Sequence, residues 1–384
     1  MIKREAESQL KKLAAQFKAV AIIGPRQSGK ATLARHTFAD KPYVNLENPD
    51  IRQFAFEDPR GFLEQFPDGA ILDEAQGVPH IFSYLQQILD ESKKTGLFII
   101  TGSNNFLLQE NISQSLAGRI AYIVLLPFSI NELSHTENLG VNDLLYKGAY
   151  PPVYDQPVET YSWYINYIRT YIERDVRQLK NIDNLFVFER FVKLCAGRTG
   201  QLLNMSGLSI ETGVSSKTVA SWIGKKLLKT SHTVKFILMR IVKMPKLYFY
   251  DTGLVSALLG IQNEKQLMFH PFRGALFENF IINELIKSRF NKAKPHNLYF
   301  WRDNTGHEID VVIEKTNELF PIEIKSGQTI TTDYFKGLNF WNKISSQSNG
   351  AVIYGGKLYQ KRANGIEIIP WNKMKVFTEN YFET

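Results

Sequence analysis

A glycine-rich loop between an apolar strand and a helix is the feature that most constrains this chain. The apolar run at residues 19–23 (AVAII) predicts a buried strand, and GPRQSGKATLARHTF follows it directly. Strand, loop and helix in this order are the setting in which backbone N–H groups surround a phosphate. Gly24 and Gly29 let the backbone approach the anion, and Lys30 is placed to reach the β- and γ-phosphates. The loop predicts binding of a nucleoside triphosphate, with ATP expected; the alternative is a glycine-rich turn without a ligand.

One position departs from the phosphate-loop pattern. Ala31 stands where a Ser or Thr hydroxyl would contact Mg²⁺. Thr32 is a poor substitute, because consecutive helical residues point about 100° apart. We therefore expect hydrolysis to suffer more than triphosphate binding. The predicted nucleotide-binding residues are Gly24, Pro25, Arg26, Gln27, Ser28, Gly29, Lys30, Ala31, Thr32, Asp73, Ser103 and Asn104.

Acidic and polar residues follow two further apolar segments. AILDEAQ predicts a buried strand that ends in Asp73 and Glu74. Asp73 is expected to hold Mg²⁺, and Glu74 to orient the attacking water as a catalytic residue. LFIITGSN predicts another buried strand, after which Ser103 or Asn104 would sense the γ-phosphate. A simple turn at that point is the alternative.

Arg119 is the candidate for a catalytic cation. It ends the sequence SLAGR, just before a strand-like run at residues 120–126. It would stabilise the transferring phosphoryl group, either in cis or from a neighbouring subunit. The alternative is a solvated surface arginine. Strands that alternate with helices predict a doubly wound α/β sheet.

These motifs together resemble a known family. GPRQSGKATLAR, AILDEAQ, ITGSNNFLL and SLAGR, followed by LLPFS, are similar to AAA-family P-loop ATPases that carry a C-terminal domain of unknown function. The resemblance continues through TYIERDVRQL, PKLYFYDTGL and the C-terminal third. It implies that Lys30, Asp73, Glu74, Ser103 and Arg119 occupy the family's nucleotide-site positions. Ala31 departs from the family pattern.

The middle of the chain lacks strong strand signals. Residues 131–190 are predicted to be helical, with one long helix over residues 161–179. Residues 202–228 predict a helix-turn-helix within a winged helix, with Gly213 ending the first helix and Ser215 capping the second. The second helix would expose Lys217, Ser221, Lys225 and Lys229. This pattern favours DNA contact, and a protein-contact module is the alternative.

The C-terminal third carries a second candidate site. Residues 274–290 predict an amphipathic helix with Glu278, and GHEIDVVIE predicts a strand with Asp310. In the strand LFPIEIK, Glu323 and Lys325 lie two residues apart and share a face. Asp310 and Glu323 would hold Mg²⁺, which activates water for phosphodiester cleavage, and Lys325 would position the water. The set resembles the PD-(D/E)xK nuclease superfamily; a retained fold without cleavage is the alternative.

Bulk properties bound the remaining choices. The 384 residues have a net charge of +8 and a pI near 9.2, a mild basic bias compatible with nucleic acid. The single Cys195 lies in an apolar setting and is expected in the core. No stretch predicts a signal peptide or a membrane span, so a cytoplasmic location is expected.

The predicted α/β architecture has four parts. They are a P-loop parallel-sheet ATPase core (1–130), a helical linker (131–190), a winged helix (191–265) and a nuclease-like α/β domain (266–384). The expected function is an ATPase whose nucleotide state is coupled to a DNA-binding, nuclease-like region. The alternative is a nucleotide-gated binding protein with slow or no hydrolysis and no cleavage. ATP, Mg²⁺, DNA and a homo-oligomer are the expected partners and cofactors.

Overall fold

The computed structural model describes residues 2–103, 115–134, 139–172, 184–223, 236–239, 245–315 and 318–382, with the backbone alone at 103, 171–172 and 236–239. The N-terminal unit alternates helices and strands. Its helices are α1 (Ala6–Gln16), α2 (Lys30–Thr37), α3 (Pro49–Glu57), α4 (Pro59–Glu64) and α5 (Ile81–Glu91). Its strands are β1 (Ala19–Gly24), β2 (Tyr43–Asn45), β3 (Ile71–Asp73), β4 (Phe98–Ser103) and β5 (Ile120–Val124).

The five strands form one parallel sheet in the order β2-β3-β4-β1-β5. Every residue of β1 is buried, as the apolar run predicts, because helices cover both faces of the sheet. Parallel strands end at the same edge, so the carboxyl ends of β1, β3 and β4 lie side by side. The predicted parallel-sheet core is confirmed, and its carboxyl edge is where the candidate nucleotide residues gather.

The middle of the chain is helical in its described parts. Its helices are α6 (Ile130–Leu133), α7 (Val141–Lys147), α8 (Pro151–Asp155), α9 (Thr160–Tyr167), α10 (Leu185–Ala196), α11 (Met205–Thr212) and α12 (Ser216–Ala220). The helix expected over 161–179 is α-helical only to Tyr167 and continues as a π-helix at Ile168–Ile172. The sequence of this helix also predicts a solvated face with ion pairs, and its charged residues lie outside the described ones: Glu173, Arg174, Asp175 and Arg177.

Two short helices, α11 and α12, lie in the described part of the segment predicted as a helix-turn-helix. Gly213 ends α11 in the left-handed region, with φ 75°, and the Ser215 side chain accepts the Thr218 N–H at the start of α12. Lys217 is exposed and Ser221 is half-buried. Lys225, Lys229 and the expected wing lie outside the described ranges. A two-stranded antiparallel pair follows, β6 (Phe236–Met239) and β7 (Lys246–Phe249).

The C-terminal unit is a mixed sheet flanked by helices. Its helices are α13 (Thr252–Leu258), α14 (Glu264–Met268), α15 (Arg273–Phe290), α16 (Lys336–Ser345) and α17 (Met374–Phe382). Its strands are β8 (Leu298–Arg302), β9 (Glu308–Lys315), β10 (Glu318–Lys325), β11 (Ala351–Tyr354), β12 (Gln360–Lys361) and β13 (Glu367–Pro370), in the order β12-β13-β11-β10-β9-β8. β10 is antiparallel to β9 and parallel to β11.

Helix α15 joins the two units. The Lys287 ammonium donates to the Phe128 carbonyl at 2.7 Å, and the Ile130 N–H donates to Glu284 at 2.8 Å. Phe128 and its apolar neighbours belong to the same buried cluster as the core of the C-terminal unit. The segment after β5 is therefore packed against the C-terminal unit. In the described parts of the chain, every helix is too short or too polar to cross a membrane.

Candidate functional site

The loop at residues 24–30 links β1 to α2 at the carboxyl edge of the parallel sheet. Gly29 has φ 90°, a left-handed conformation that favours glycine. A Cβ on Gly24 would lie 2.1 Å from the Leu125 carbonyl oxygen, so only glycine fits there. The two predicted glycines are thus needed for different reasons, one for backbone conformation and one for a close approach of two segments.

Lys30 lies inside the loop. It is 5% exposed, and its ammonium donates to the carbonyl oxygens of Pro25 at 2.8 Å and Gly24 at 3.2 Å. Burial lowers the pKa of Lys30, and the negative charges of Glu74 and Asp73 oppose that shift. The cation and the two predicted carboxylates therefore occupy one electrostatic environment.

The other loop residues differ in exposure. Arg26 is buried, and its guanidinium pairs with Glu47 at 3.5 Å. Gln27 is exposed and has φ 58°. Ala31 is half-buried and Thr32 is exposed at the first turn of α2.

Asp73 is held by two hydroxyl groups at the end of β3. Thr101 donates to its Oδ1, and Tyr43 donates to its Oδ2 at 2.6 Å. Burial and the carboxylate of Asp73 raise the pKa of Tyr43, so the phenol remains a donor. Sequence reasoning missed Tyr43, whose contact depends on the pairing of β2 with β3.

Glu74 follows in a left-handed conformation, with φ 52° and ψ 43°. Its N–H lies 3.4 Å from the Thr101 hydroxyl, and its carboxylate accepts a hydrogen bond from Gln76. A non-glycine residue in this conformation is strained, and such residues concentrate at functional sites. The Ser103 backbone ends β4 beside β1, while its side chain and Asn104 lie outside the described parts.

Arg119 does not join this group within the chain. It precedes β5, and its carbonyl accepts the N–H of Ala19 at the start of β1. Since the loop begins at the other end of β1, five residues further on, Arg119 lies about 16 Å away along the strand. Its guanidinium instead forms a bidentate pair with Asp90, at 2.5 and 2.8 Å. A role in cis is therefore wrong for this arrangement, and a role in a neighbouring subunit's site stays a prediction.

The second candidate site is assembled in the C-terminal sheet. The antiparallel register places Ile322 opposite Val311, so Asp310 and Glu323 form the next opposing pair. The Lys325 ammonium lies 2.5 Å from Glu323 and 3.5 Å from Asp310. Both carboxylates are about 5% exposed. The antiparallel pairing of β9 with β10 thus brings the three predicted residues together.

A buried lysine that sequence reasoning missed completes this cluster. The Lys246 ammonium, on β7, lies 3.1 Å from Glu278, 3.4 Å from Glu308 and 3.7 Å from Asp310. Tyr248 also donates to Glu278, at 2.5 Å. Lys246 therefore bridges Asp310 and Glu278, the predicted helical carboxylate. Among the residues that the structure describes, no three acidic, histidine or cysteine side chains are arranged to hold a metal ion.

The charged groups of this cluster change one another's pKa values. Burial and the neighbouring Asp310 raise the pKa of Glu323 to about 8. Burial also works against ionisation of Asp310, but the ammonium groups of Lys325 and Lys246 outweigh it and lower its pKa. The two carboxyls therefore lie beside the ammonium groups of Lys246 and Lys325, which offset their negative charge.

Comparison with known families assigns the N-terminal unit. Residues 16–134 match the AAA domain family, and this range contains the parallel sheet, the loop and Asp73. Residues 16–134 are named the AAA domain below, after the family that they match. The AAA domain is followed by matches to two domains of unknown function, DUF8612 at residues 139–265 and DUF4143 at residues 273–374. Glu278, Asp310, Glu323 and Lys325 lie in the last of these.

Two relatives match most of the chain. Uncharacterized proteins of Mycobacterium bovis and Mycobacterium tuberculosis are each 29% identical over 337 residues, which cover 85% of this chain and 74% of the relative. Among solved structures, a Walker-type ATPase of Pyrococcus abyssi is 14% identical and covers 67% of this chain and 96% of its own, with a TM-score of 0.46. AMPPCP-bound DnaA of Aquifex aeolicus is 12% identical, over 57% of this chain and 84% of its own, with a TM-score of 0.31. At these TM-scores the two likenesses carry no conclusion about this chain.

Proposed function

We propose that the AAA domain binds ATP with Mg²⁺ and that its nucleotide state controls a C-terminal site that acts on nucleic acid. The observation that supports the first part most directly is the shared sheet edge. Lys30, the loop backbone and Asp73 lie where β1 and β3 end, in one buried and charged setting. Binding sites in open parallel sheets form at this edge.

The residues present fit a nucleotide and its metal. The Ser28 hydroxyl is fully buried inside the loop and has no hydrogen-bond partner among the described residues, which suits contact with a phosphate oxygen. Asp73 offers carboxylate oxygens for Mg²⁺, which commonly binds through one or two carboxylates plus phosphate and water. Bound Mg²⁺ would neutralise charge that develops on the phosphates. Ala31 supplies no side-chain oxygen, so Asp73 would be the main protein contact for the metal.

Each group at the site has a separate role in ATP binding or hydrolysis. The Lys30 ammonium exchanges its contacts with the loop carbonyls for contacts with the β- and γ-phosphates. The N–H groups at the start of α2 point toward the same anion. Glu74, held in its left-handed conformation, accepts a proton from the attacking water or orients it.

Turnover of ATP tests this part. If the site is an efficient ATPase, wild type should hydrolyse ATP rapidly, and Lys30→Ala should abolish both hydrolysis and binding. In the alternative, a nucleotide-gated switch, wild type binds ATP but hydrolyses it slowly. Ala31→Thr should then raise the rate strongly by restoring the missing hydroxyl. Wild type that binds no ATP would refute the proposal and the switch together.

The C-terminal cluster is the basis of the second part. Asp310, Glu323 and Lys325 converge at the end of a buried hairpin, as expected for phosphodiester cleavage. Beside them is an open cleft of about 630 Å³, to which Lys246, Arg302 and Glu308 contribute. Cations in such a cleft can contact a nucleic-acid backbone. Asp310 and Glu323 would hold Mg²⁺, which would activate a water molecule.

Lys246 favours a variant of this proposal in which the site binds without cutting. Its ammonium already balances Glu278 and Asp310, so metal binding requires that this lysine give up contacts. Cleavage should be assayed on single- and double-stranded DNA and RNA with Mg²⁺ or Mn²⁺, with and without ATP. Asp310→Asn should abolish it, whereas Asp68→Asn, on an exposed pair in the N-terminal unit, should not. If wild type and Asp310→Asn are equally inert, cleavage is wrong and retention of labelled nucleic acid tests binding alone.

A further inference from the structure

Arg4 is a buried arginine that contacts the nucleotide loop from outside the AAA family match. It is 5% exposed, although arginine is rarely buried without a partner. One of its nitrogens donates to the Ser28 carbonyl at 2.7 Å, and another donates to the Leu126 carbonyl at 2.6 Å. Its Nε pairs with Glu132 at 3.0 Å. The guanidinium thus links the loop to the segment after β5.

The partner of Arg4 is itself fixed by hydrogen bonds. The Glu132 side chain accepts the N–H of Ser129 at 2.8 Å in the capping box of α6, and the N–H of Glu5 at 2.7 Å. Glu132 is 4% exposed. The Arg4 guanidinium also lies over the Phe128 ring, 4.9 Å from its centre. A planar guanidinium held on this many sides has one orientation.

That orientation determines which way one loop peptide points. The Ser28 carbonyl and the Gly29 N–H belong to the same trans peptide and therefore point in opposite directions. Because Arg4 binds the carbonyl, the Gly29 N–H points to the side of the peptide away from Arg4. Gly29 is also the N-cap of α2, where N–H groups contact anions.

We propose that Arg4 is a positioning residue for the nucleotide loop: it fixes the Ser28–Gly29 peptide with its N–H toward the phosphates. This inference rests on the proposed ATP site. A guanidinium is needed because three acceptors must be reached at once in a planar arrangement, which a lysine ammonium does not match. A purely structural role, in which Arg4 only anchors α1, is the competing account.

The test observes the peptide itself. The chain has three Ser–Gly pairs, at residues 28–29, 206–207 and 326–327. Protein made by cell-free synthesis with ¹³C-carbonyl serine and ¹⁵N-glycine therefore gives three carbonyl-edited amide signals. Ser28→Ala assigns the Gly29 signal by removing it, and the other two signals serve as internal controls.

Two variants perturb the contact. Arg4→Lys keeps the charge beside Glu132, and Arg4→Met with Glu132→Gln removes both charges so that neither is left buried alone. In both, the Gly29 signal should move while the Gly207 and Gly327 signals stay. ATP affinity, measured by calorimetry, should fall roughly tenfold, the effect of losing one charge-assisted contact.

The outcomes separate this inference from the proposed function. If wild type binds ATP and both variants bind it equally well, Arg4 does not position the loop. An unmoved Gly29 signal in both variants overturns the inference even if affinity falls. If wild type binds no ATP while Arg4→Lys still moves the Gly29 signal, the proposed function has failed and the peptide's orientation by Arg4 has not.

Discussion

Replacing Lys246 by methionine should destabilise the C-terminal unit, and the loss should grow with pH. Methionine keeps most of the aliphatic chain but removes the ammonium that lies 3.1 Å from Glu278 and 3.7 Å from Asp310. Removing one partner of a buried ion pair costs about 3–5 kcal/mol. For a unit of this size, that corresponds to a fall in melting temperature of roughly 6–20 °C.

At low pH this loss of stability is smaller, because Glu278 and Asp310 can be protonated. Without Lys246 the pKa values of Glu278 and Asp310 rise, since burial already raises that of Glu278. When folding raises the pKa of an acid, the folded state loses stability as the pH rises. The loss begins near the pKa of the acid in the unfolded chain and is complete above its pKa in the folded protein. The difference between variant and wild type should therefore be small near pH 5 and largest near pH 8.

Melting by scanning fluorimetry at both pH values checks this expectation. Lys336→Met is the matched control, because it removes the lysine of an exposed pair with Asp333. Such pairs contribute little, so the control should melt like wild type at both pH values. Equal melting of Lys246→Met and wild type at pH 8, or a larger loss at pH 5, would refute the proposed charge balance.

Three further predictions concern single residues. Gly24→Ala should lower the melting temperature and abolish ATP binding, because its Cβ would lie 2.1 Å from the Leu125 carbonyl; a variant that melts and binds like wild type contradicts the close approach. Tyr43→Phe should lower the Mg²⁺ concentration required for tight ATP binding several-fold, because a competing donor to Asp73 is removed; a higher requirement would mean that the phenol orients the carboxylate instead. Cys195 is fully buried and burial raises the pKa of its thiol, so iodoacetamide should label it only after denaturation; mass spectrometry would reveal labelling of the native protein, which would contradict this.

The sequence predicts structure best where the residues that form a feature are close together along the chain. The loop pattern around Gly24 and Lys30 predicts its own structure, because strand, loop and helix are contiguous. The pairing of Asp310 with Glu323 was also predictable, since the hairpin joins neighbouring strands and period two fixes which side chains share a face. The prediction that Cys195 lies in the core is confirmed, and it too rested on local sequence, the apolar neighbours of Cys195.

Contacts between distant segments were not predictable. Lys246 and Tyr248 reach Glu278 because Asn279 of α15 bonds to the backbone of Phe249, a docking that no local pattern encodes. Arg119 is different, because its position followed from information in the sequence. A residue that precedes a strand parallel to β1 must lie at the amino edge, away from the loop that follows β1.

The bonds from α15 to the segment after β5 bear on how such chains can be recombined. Lys287 and Glu284 form hydrogen bonds with backbone groups of the AAA domain's last connecting segment. Phe128 of that segment packs in the core of the C-terminal unit. An AAA domain cut out at its family boundary would expose that apolar surface and lose those partners. The two units therefore depend on each other. A chimera that takes one unit from a relative should fold only if α15 and the segment after β5 come from the same protein.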